Sequence, residues 1–98
     1  MIVTFFEWIV ISGLEVEFRE AWTEGTELLS REGSLGSALF LGQDGHFRAL
    51  ARWPDQMTRD AAFARTANAA VFVRMSDCVE TTISHEDAEE IANLWRFQ

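Results

Sequence analysis

A glutamate at position 7, in the middle of the apolar run IVTFFEWIVIS, is the residue of this sequence best placed for chemistry. A carboxylate held among apolar neighbours has its pKa raised by desolvation and can serve as a general base. The same Glu7 can also pair with Arg48 or Arg52, or reach solvent at a sheet end, and its role is then structural. Other reactive types are sparse. His46 follows an Asp-Gly turn and His85 precedes the C-terminal tail, so both are expected at the surface. With no His-x-x-x-His pair and no Cys/His cluster, no protein-held metal site is expected. Ser37 and Cys78 have no histidine at motif spacing, which leaves nucleophilic catalysis without a signature. Gly33, Gly36 and Gly42 do not make a phosphate loop, because none opens a helix after a strand.

The chain that positions these residues has 98 of them, 48% hydrophobic and 24% charged, a balance expected of one globular domain over residues 1–98. Its core is predicted over 1–84, with a helical tail over 85–98. The formal net charge of −8 argues against nucleic acid and against an anionic membrane surface as partners. A single cysteine, Cys78, permits no internal disulfide and suits a reducing cytoplasm. The apolar N-terminal run lacks a basic start and a small-residue cleavage site, so it reads as a strand and not as a signal peptide. No stretch approaches the ~18–20 apolar residues of a membrane span.

Residues 34–54, SLGSALFLGQDGHFRALARWP, organise the elements. The apolar runs Leu35–Leu41 and Phe47–Trp53 flank Asp44-Gly45, a strong signal for a β-hairpin. Pro54 cannot donate to a strand ladder and ends the second strand, and Asp55 stands where a helix N-cap would sit. Before the hairpin, residues 2–12 read as a strand apolar on both faces: Ile2, Phe6, Trp8 and Val10 on one, Val3, Phe5, Ile9 and Ile11 with Glu7 on the other. Ser12-Gly13-Leu14-Glu15 has capping-box spacing and predicts a helix with the stripe Leu14, Phe18, Ala21, Trp22, Leu28 and Leu29. Gly25 is expected to let that helix approach the sheet closely, and Gly33 to cap its C-terminus.

After the hairpin the pattern predicts a helix over 55–65, with 67–75 either continuing it or forming a separate short helix. A strand follows over Cys78–Ile83, and Ser84 with Asp87 offers a cap for a terminal helix containing Ile91, Leu94 and Trp95. The order β-α-β-β-α-β is the ferredoxin-like α+β pattern with an antiparallel sheet. Right-handed crossovers place both connecting helices on one face of the sheet. The face bearing Ile2, Phe6, Trp8 and Val10 is then expected to lie bare, and a bare apolar face marks an interface. A homodimer packed sheet against sheet is the expected assembly, with the terminal helix folding over that face as the alternative.

The segment GSALFLGQDGHFRALARWPD, preceded by a helix with Phe18 and Trp22 in FxxxW spacing, resembles the antibiotic biosynthesis monooxygenase superfamily of dimeric α+β barrels. The similarity extends from the first strand to about residue 84. It implies the fold well and the activity poorly, since the superfamily holds cofactor-free oxygenases, haem-degrading enzymes and other members. Among the quinone-forming oxygenases a tryptophan at the end of the third strand lines the pocket, and Trp53 matches it. Their asparagine four residues earlier corresponds to Ala49, and their tyrosine six residues later to Arg59; this chain has no tyrosine. In the haem-degrading branch the required asparagine, tryptophan and histidine fall at Glu7, Ala62 and Phe72. Phe cannot ligate iron, so haem chemistry is not expected.

Phe47, Ala49, Ala51 and Trp53 share one strand face, and the match at Trp53 places that face under the helices. Two alanines leave room there, so an apolar cavity is expected, with Phe5, Glu7 and Ile9 supplied by the first strand and Trp22, Phe63, Phe72 and Met75 by the helices. The open alternative is a core that these large side chains fill. Two functions stay in view. One is a cofactor-independent monooxygenase, requiring no cofactor, that acts on an aromatic or polyketide-like hydrophobic small molecule, with Glu7 as base and Trp53 positioning the ring. The other is a non-catalytic dimeric module that binds a hydrophobic ligand or supports an assembly.

Overall fold

A computed structural model describes residues 1–96. The elements are β1 (Ile2–Val10), α1 (Glu15–Arg31), β2 (Gly36–Leu41), β3 (Phe47–Trp53), α2 (Gln56–Thr66), α3 (Ala70–Asp77) and β4 (Val79–Glu89). They build a ferredoxin-like α+β fold with one four-stranded antiparallel sheet in the order β2-β3-β1-β4. No helix among the described residues is long and apolar enough to cross a membrane.

Local signals set most of the boundaries. The hairpin closes through Gly42 N–H to His46 O at 2.9 Å, and Asp44 Oδ1 accepts from His46 N–H at 3.0 Å. Gly45 takes φ +83° while Asp44 keeps an ordinary φ, so the turn needs only one left-handed residue. Pro54 follows β3 directly, and Asp55 caps α2, its carboxylate accepting from Thr58 N–H at 2.7 Å. Gly33, at φ +107°, closes α1, and Ser34 N–H returns to Leu29 O at 3.0 Å in a Schellman-type ending.

The start of α1 differs from expectation. Ser12 does not cap it; Gly13, at φ +94°, turns the chain first, and Leu14 occupies the N-cap. The capping box does not form; instead Gly13 N–H donates to the Glu15 carboxylate at 2.9 Å. Gly25 serves a close approach, though not to the sheet. A methyl group there would come within 2.7 Å of the Phe72 ring, so Gly25 admits α3 against α1. Residues 70–77 form their own short helix.

Two larger corrections concern the sheet. β4 extends to Glu89 and pairs with β1 from Val10↔Val79 to Ile2↔Glu89, so the helix signalled by Ser84 and Asp87 does not form. Residues 90–96 are neither helix nor strand, and 97 and 98 of the predicted tail lie outside the described residues. The physical reason is β1 itself, whose outer row of backbone groups needs partners that a short capped helix would not supply. Thr4 Oγ1 donating to Asp87 at 3.0 Å and Glu90 N–H donating to Met1 O at 3.0 Å fasten the extension.

The second correction is one of parity. Register places Ile2 opposite Trp53, Thr4 opposite Ala51, Phe6 opposite Ala49 and Trp8 opposite Phe47. The face of β1 that carries Ile2, Phe6 and Trp8 is therefore the one under the helices, not the bare one. Trp8 is 6% exposed and packs edge-on against Phe18 at 5.3 Å between ring centroids. The uncovered face carries Val3, Phe5, Glu7 and Ile9, beside Arg52, Leu50 and Arg48. A strand apolar on both sides offers no composition signal for its orientation, and a one-residue shift exchanges the two sets.

Candidate active site cavity

Two core clusters form between sheet and helices, one around Trp8, Phe18, Phe47 and Ala49, the other around Ala51, Trp53 and Ala62. Between them lies a cavity of about 320 Å³. Its floor is Ala49, Ala51 and Trp53 of β3 with Phe6 and Trp8 of β1, and Ser37 of β2 adds one polar group. Its roof is Trp22, Thr26 and Leu29 of α1, Phe63 and Thr66 of α2, Ala67, and Phe72 and Met75 of α3. The alternating row Phe47, Ala49, Ala51, Trp53 explains the space: large residues stand at both ends and methyl groups in the middle.

Of the residues expected here from sequence, Trp53, Trp22, Ala49, Ala51, Phe63 and Phe72 do line the cavity, as does Met75. Phe5 and Glu7 do not. Both point to the opposite side of the sheet, as the parity correction requires, and Ile9 follows them. Phe6 and Trp8, Thr26, Leu29, Ser37, Thr66 and Ala67 line it without having been singled out for it. The readable signal for the β1 pair was the hairpin register, which needs the β1–β3 pairing before it speaks.

Trp53 is fully buried, packs edge-on to Phe63 at 5.6 Å, and its indole Nε1–H has no hydrogen-bond partner among the described residues. An unsatisfied buried donor costs roughly 1–3 kcal/mol and calls for an explanation. Thr66, by contrast, donates its hydroxyl to Ala62 O at 2.9 Å. Among the described residues, no ionisable side chain lines the cavity.

The charged groups sit elsewhere. Glu7 Oε2 lies 2.8 Å from His46 Nδ1 and accepts from Arg48 Nη2 at 3.1 Å, and Arg48 also donates to Asp44 at 2.7 Å. The Arg48 guanidinium holds the Asp44 carboxyl below the usual carboxylate range. Glu7, Asp44 and His46 bring possible ligand atoms within 4.8 Å of one another, but Arg48 already supplies the positive charge between the two carboxylates. Arg59, at the position where the resemblance expects a tyrosine, is 7% exposed and lies outside the cavity wall. It is ion-paired to Asp87 and Asp60, donates to Thr4 Oγ1 at 3.3 Å, and covers the Phe63 ring at 5.8 Å. The Arg59 guanidinium and the Thr4 hydroxyl hold the Asp87 carboxyl below its ordinary value.

No family model matches the chain, and no curated protein sequence does. Solved structures match in shape. SnoaB, a cofactor-independent oxygenase from Streptomyces nogalater, is 19% identical with a TM-score of 0.77, over 95% of this chain and 96% of that one. A Chloroflexus aurantiacus protein assigned to the antibiotic biosynthesis monooxygenases is 10% identical with a TM-score of 0.81, over 94% of each chain. An antibiotic biosynthesis monooxygenase structure is 18% identical with a TM-score of 0.72, over 95% of this chain and 99% of that one. With the strand order and the cavity under the helices, these likenesses show that the chain has the fold of the antibiotic biosynthesis monooxygenase superfamily.

Proposed function

We propose that the protein is a cofactor-independent monooxygenase-like protein that binds a hydrophobic aromatic or polyketide-like small molecule in the cavity under its helices. The cavity carries this reading: about 320 Å³ of apolar space walled by three tryptophans and three phenylalanines, with an unpartnered indole N–H in one wall. That volume lies at the low end of the ~300–1,000 Å³ typical of small-molecule sites, and aromatic walls favour a flat ligand. In an oxygenation without cofactor the substrate's own anion supplies the electrons to dioxygen. A donor such as Trp53 Nε1–H would stabilise the substrate oxygen on which that charge rests. With Glu7 on the far side of the sheet, the proton would leave to solvent and not to a side chain in the cavity wall.

The second reading, a non-catalytic dimeric binding module, is favoured by the same lack of an ionisable lining group. In either case the proposed assembly is a homodimer, a dimeric α+β barrel with outer sheet faces in contact, which would cover Phe5 and Phe40, 41% and 49% exposed. A cytoplasmic setting suits the free Cys78.

An anthrone, whose ring C–H ionises readily, tests the enzyme. Protein-dependent oxygen uptake that falls in Trp53→Phe is expected. Binding without uptake would select the second reading, and absence of binding would refute both.

A further inference from the structure

The side of α1 turned to the cavity carries Trp22, Gly25, Thr26 and Leu29, spaced as neighbours on one helix face. Three of the four line the cavity; Gly25, though buried, does not. Its place in the wall is taken by Phe72 of α3, whose ring lies over the glycine. A methyl group at position 25 would stand 2.7 Å from Phe72 Cε1 and 3.3 Å from Cζ, closer than carbon atoms pack. The ring thus has α1 on one side and the cavity on the other. Glycine inside a helix costs backbone entropy relative to alanine. At Gly25 that cost has a counterpart in packing, a notch in which Phe72 lies back from the cavity.

We propose that Gly25 sets the size of ligand the cavity accepts, acting through Phe72 as a positioning residue that touches no ligand itself. This rests on the cavity being a ligand site. With the ring seated in the notch, the space between the α1–α3 seam and the methyl-lined floor of Ala49 and Ala51 is open to a longer flat molecule. A side chain at position 25 forces the ring off α1 and into that space. The ring can yield, because it is the far end of a side chain that turns on two torsions. The helix bearing it is held more firmly. Met75 packs against the first core cluster, Cys78 just past the end of α3 is buried, and Arg74 donates to the Glu24 carboxylate at 2.9 Å beside the notch. Filling the notch therefore shrinks the cavity without loosening the fold.

Fluorescence titration with naphthalene and phenanthrene, flat hydrocarbons that differ by one ring, tests this. Wild-type protein is expected to bind both, phenanthrene more tightly because it buries more apolar area. Gly25→Ala should leave naphthalene within about twofold and weaken phenanthrene about tenfold or more, the order expected when a close-packed contact is overfilled. Its thermal midpoint should equal or exceed that of the wild type, since alanine is the better helix former. Adding Phe72→Leu to Gly25→Ala gives the methyl group room and should restore phenanthrene to within about threefold of Phe72→Leu alone. A Gly25→Ala effect on neither probe, or on both alike, would overturn the role of Gly25 while leaving the cavity a ligand site. So would failure of Phe72→Leu to restore binding, or a wild type that accepts naphthalene and rejects phenanthrene. A Gly25→Ala protein that unfolds would show that the ring cannot yield and that the glycine serves packing alone. If neither probe binds the wild type, the cavity reading itself fails, and the assignment of Gly25 with it.

Discussion

The two faces of β1 are nearly indistinguishable in composition and opposite in use. Phe6 and Trp8 lie inward and help wall a cavity that no ionisable side chain among the described residues lines. Phe5 and Glu7, their immediate neighbours, lie outward, where Glu7 is held by Arg48 and His46 at the hairpin end. The contrast separates chemistry from charge in this molecule. Its carboxylates and guanidiniums pair with one another where water or another strand can help. The enclosed space keeps only neutral donors, because a lone charge there would have no partner.

Placing a charge on each face breaks or confirms that division most forcefully. Trp8→Glu should bury an unpaired carboxylate in the first core cluster and cost several kcal/mol, about 3–5, giving insoluble or unfolded protein. Phe5→Glu should fold, with thermal unfolding near that of the wild type, and should break the proposed homodimer, read as a monomer in light scattering. A folded Trp8→Glu beside an unfolded Phe5→Glu would mean the register is wrong by one residue.

A smaller effect is expected at the ion pair that ties α2 to β4. The Asp87 carboxyl is held below its ordinary value in the folded state by Arg59 and Thr4. A depressed carboxyl contributes stability that is present above its unfolded value, near pH 3.9, and is lost as pH falls from there toward the folded value. The wild-type unfolding midpoint should therefore drop through that acid window, and Asp87→Asn, already less stable at neutral pH, should drop less. Parallel pH profiles would show that the Arg59–Asp87 contact contributes nothing in solution.

Ala49→Leu sharpens the comparison from the cavity side. In a filled core three added carbons cost about 1–3 kcal/mol through overpacking. With the cavity above Ala49, the change should be neutral or slightly stabilising, since it buries apolar area at about 25 cal/mol per Å². Ligand binding should disappear at the same time. A midpoint lower by many degrees would mean there is no room for a ligand.

The least effect belongs to Glu7→Gln. Its partners are part-exposed, so the loss in stability should stay within about 1 kcal/mol. Ligand affinity and any oxygen uptake should be unchanged, because the side chain faces away from the cavity. A large loss of uptake with unchanged folding would restore Glu7 as the base.

Local chemistry determined much of this protein by sequence alone. Asp44-Gly45, Pro54 and Asp55 act through their own backbone and near neighbours, so the hairpin, the end of β3 and the start of α2 were legible without any partner strand. The small-residue row Ala49, Ala51 was legible too, but only the match at Trp53 put its face under the helices, and a filled core remained the open alternative until the structure showed the space. The orientation of β1 was not legible, because period-two alternation carries information only when the two faces differ, and here both are apolar. The end of β4 was hidden for the opposite reason: Ser84 and Asp87 do signal a helix locally. That preference yields to the unpaired backbone of Ile2–Glu7, which exists only once β1 lies at the growing edge of the sheet. Whether Glu7 faces a ligand or an arginine was thus decided by tertiary pairing, one residue of register at a time.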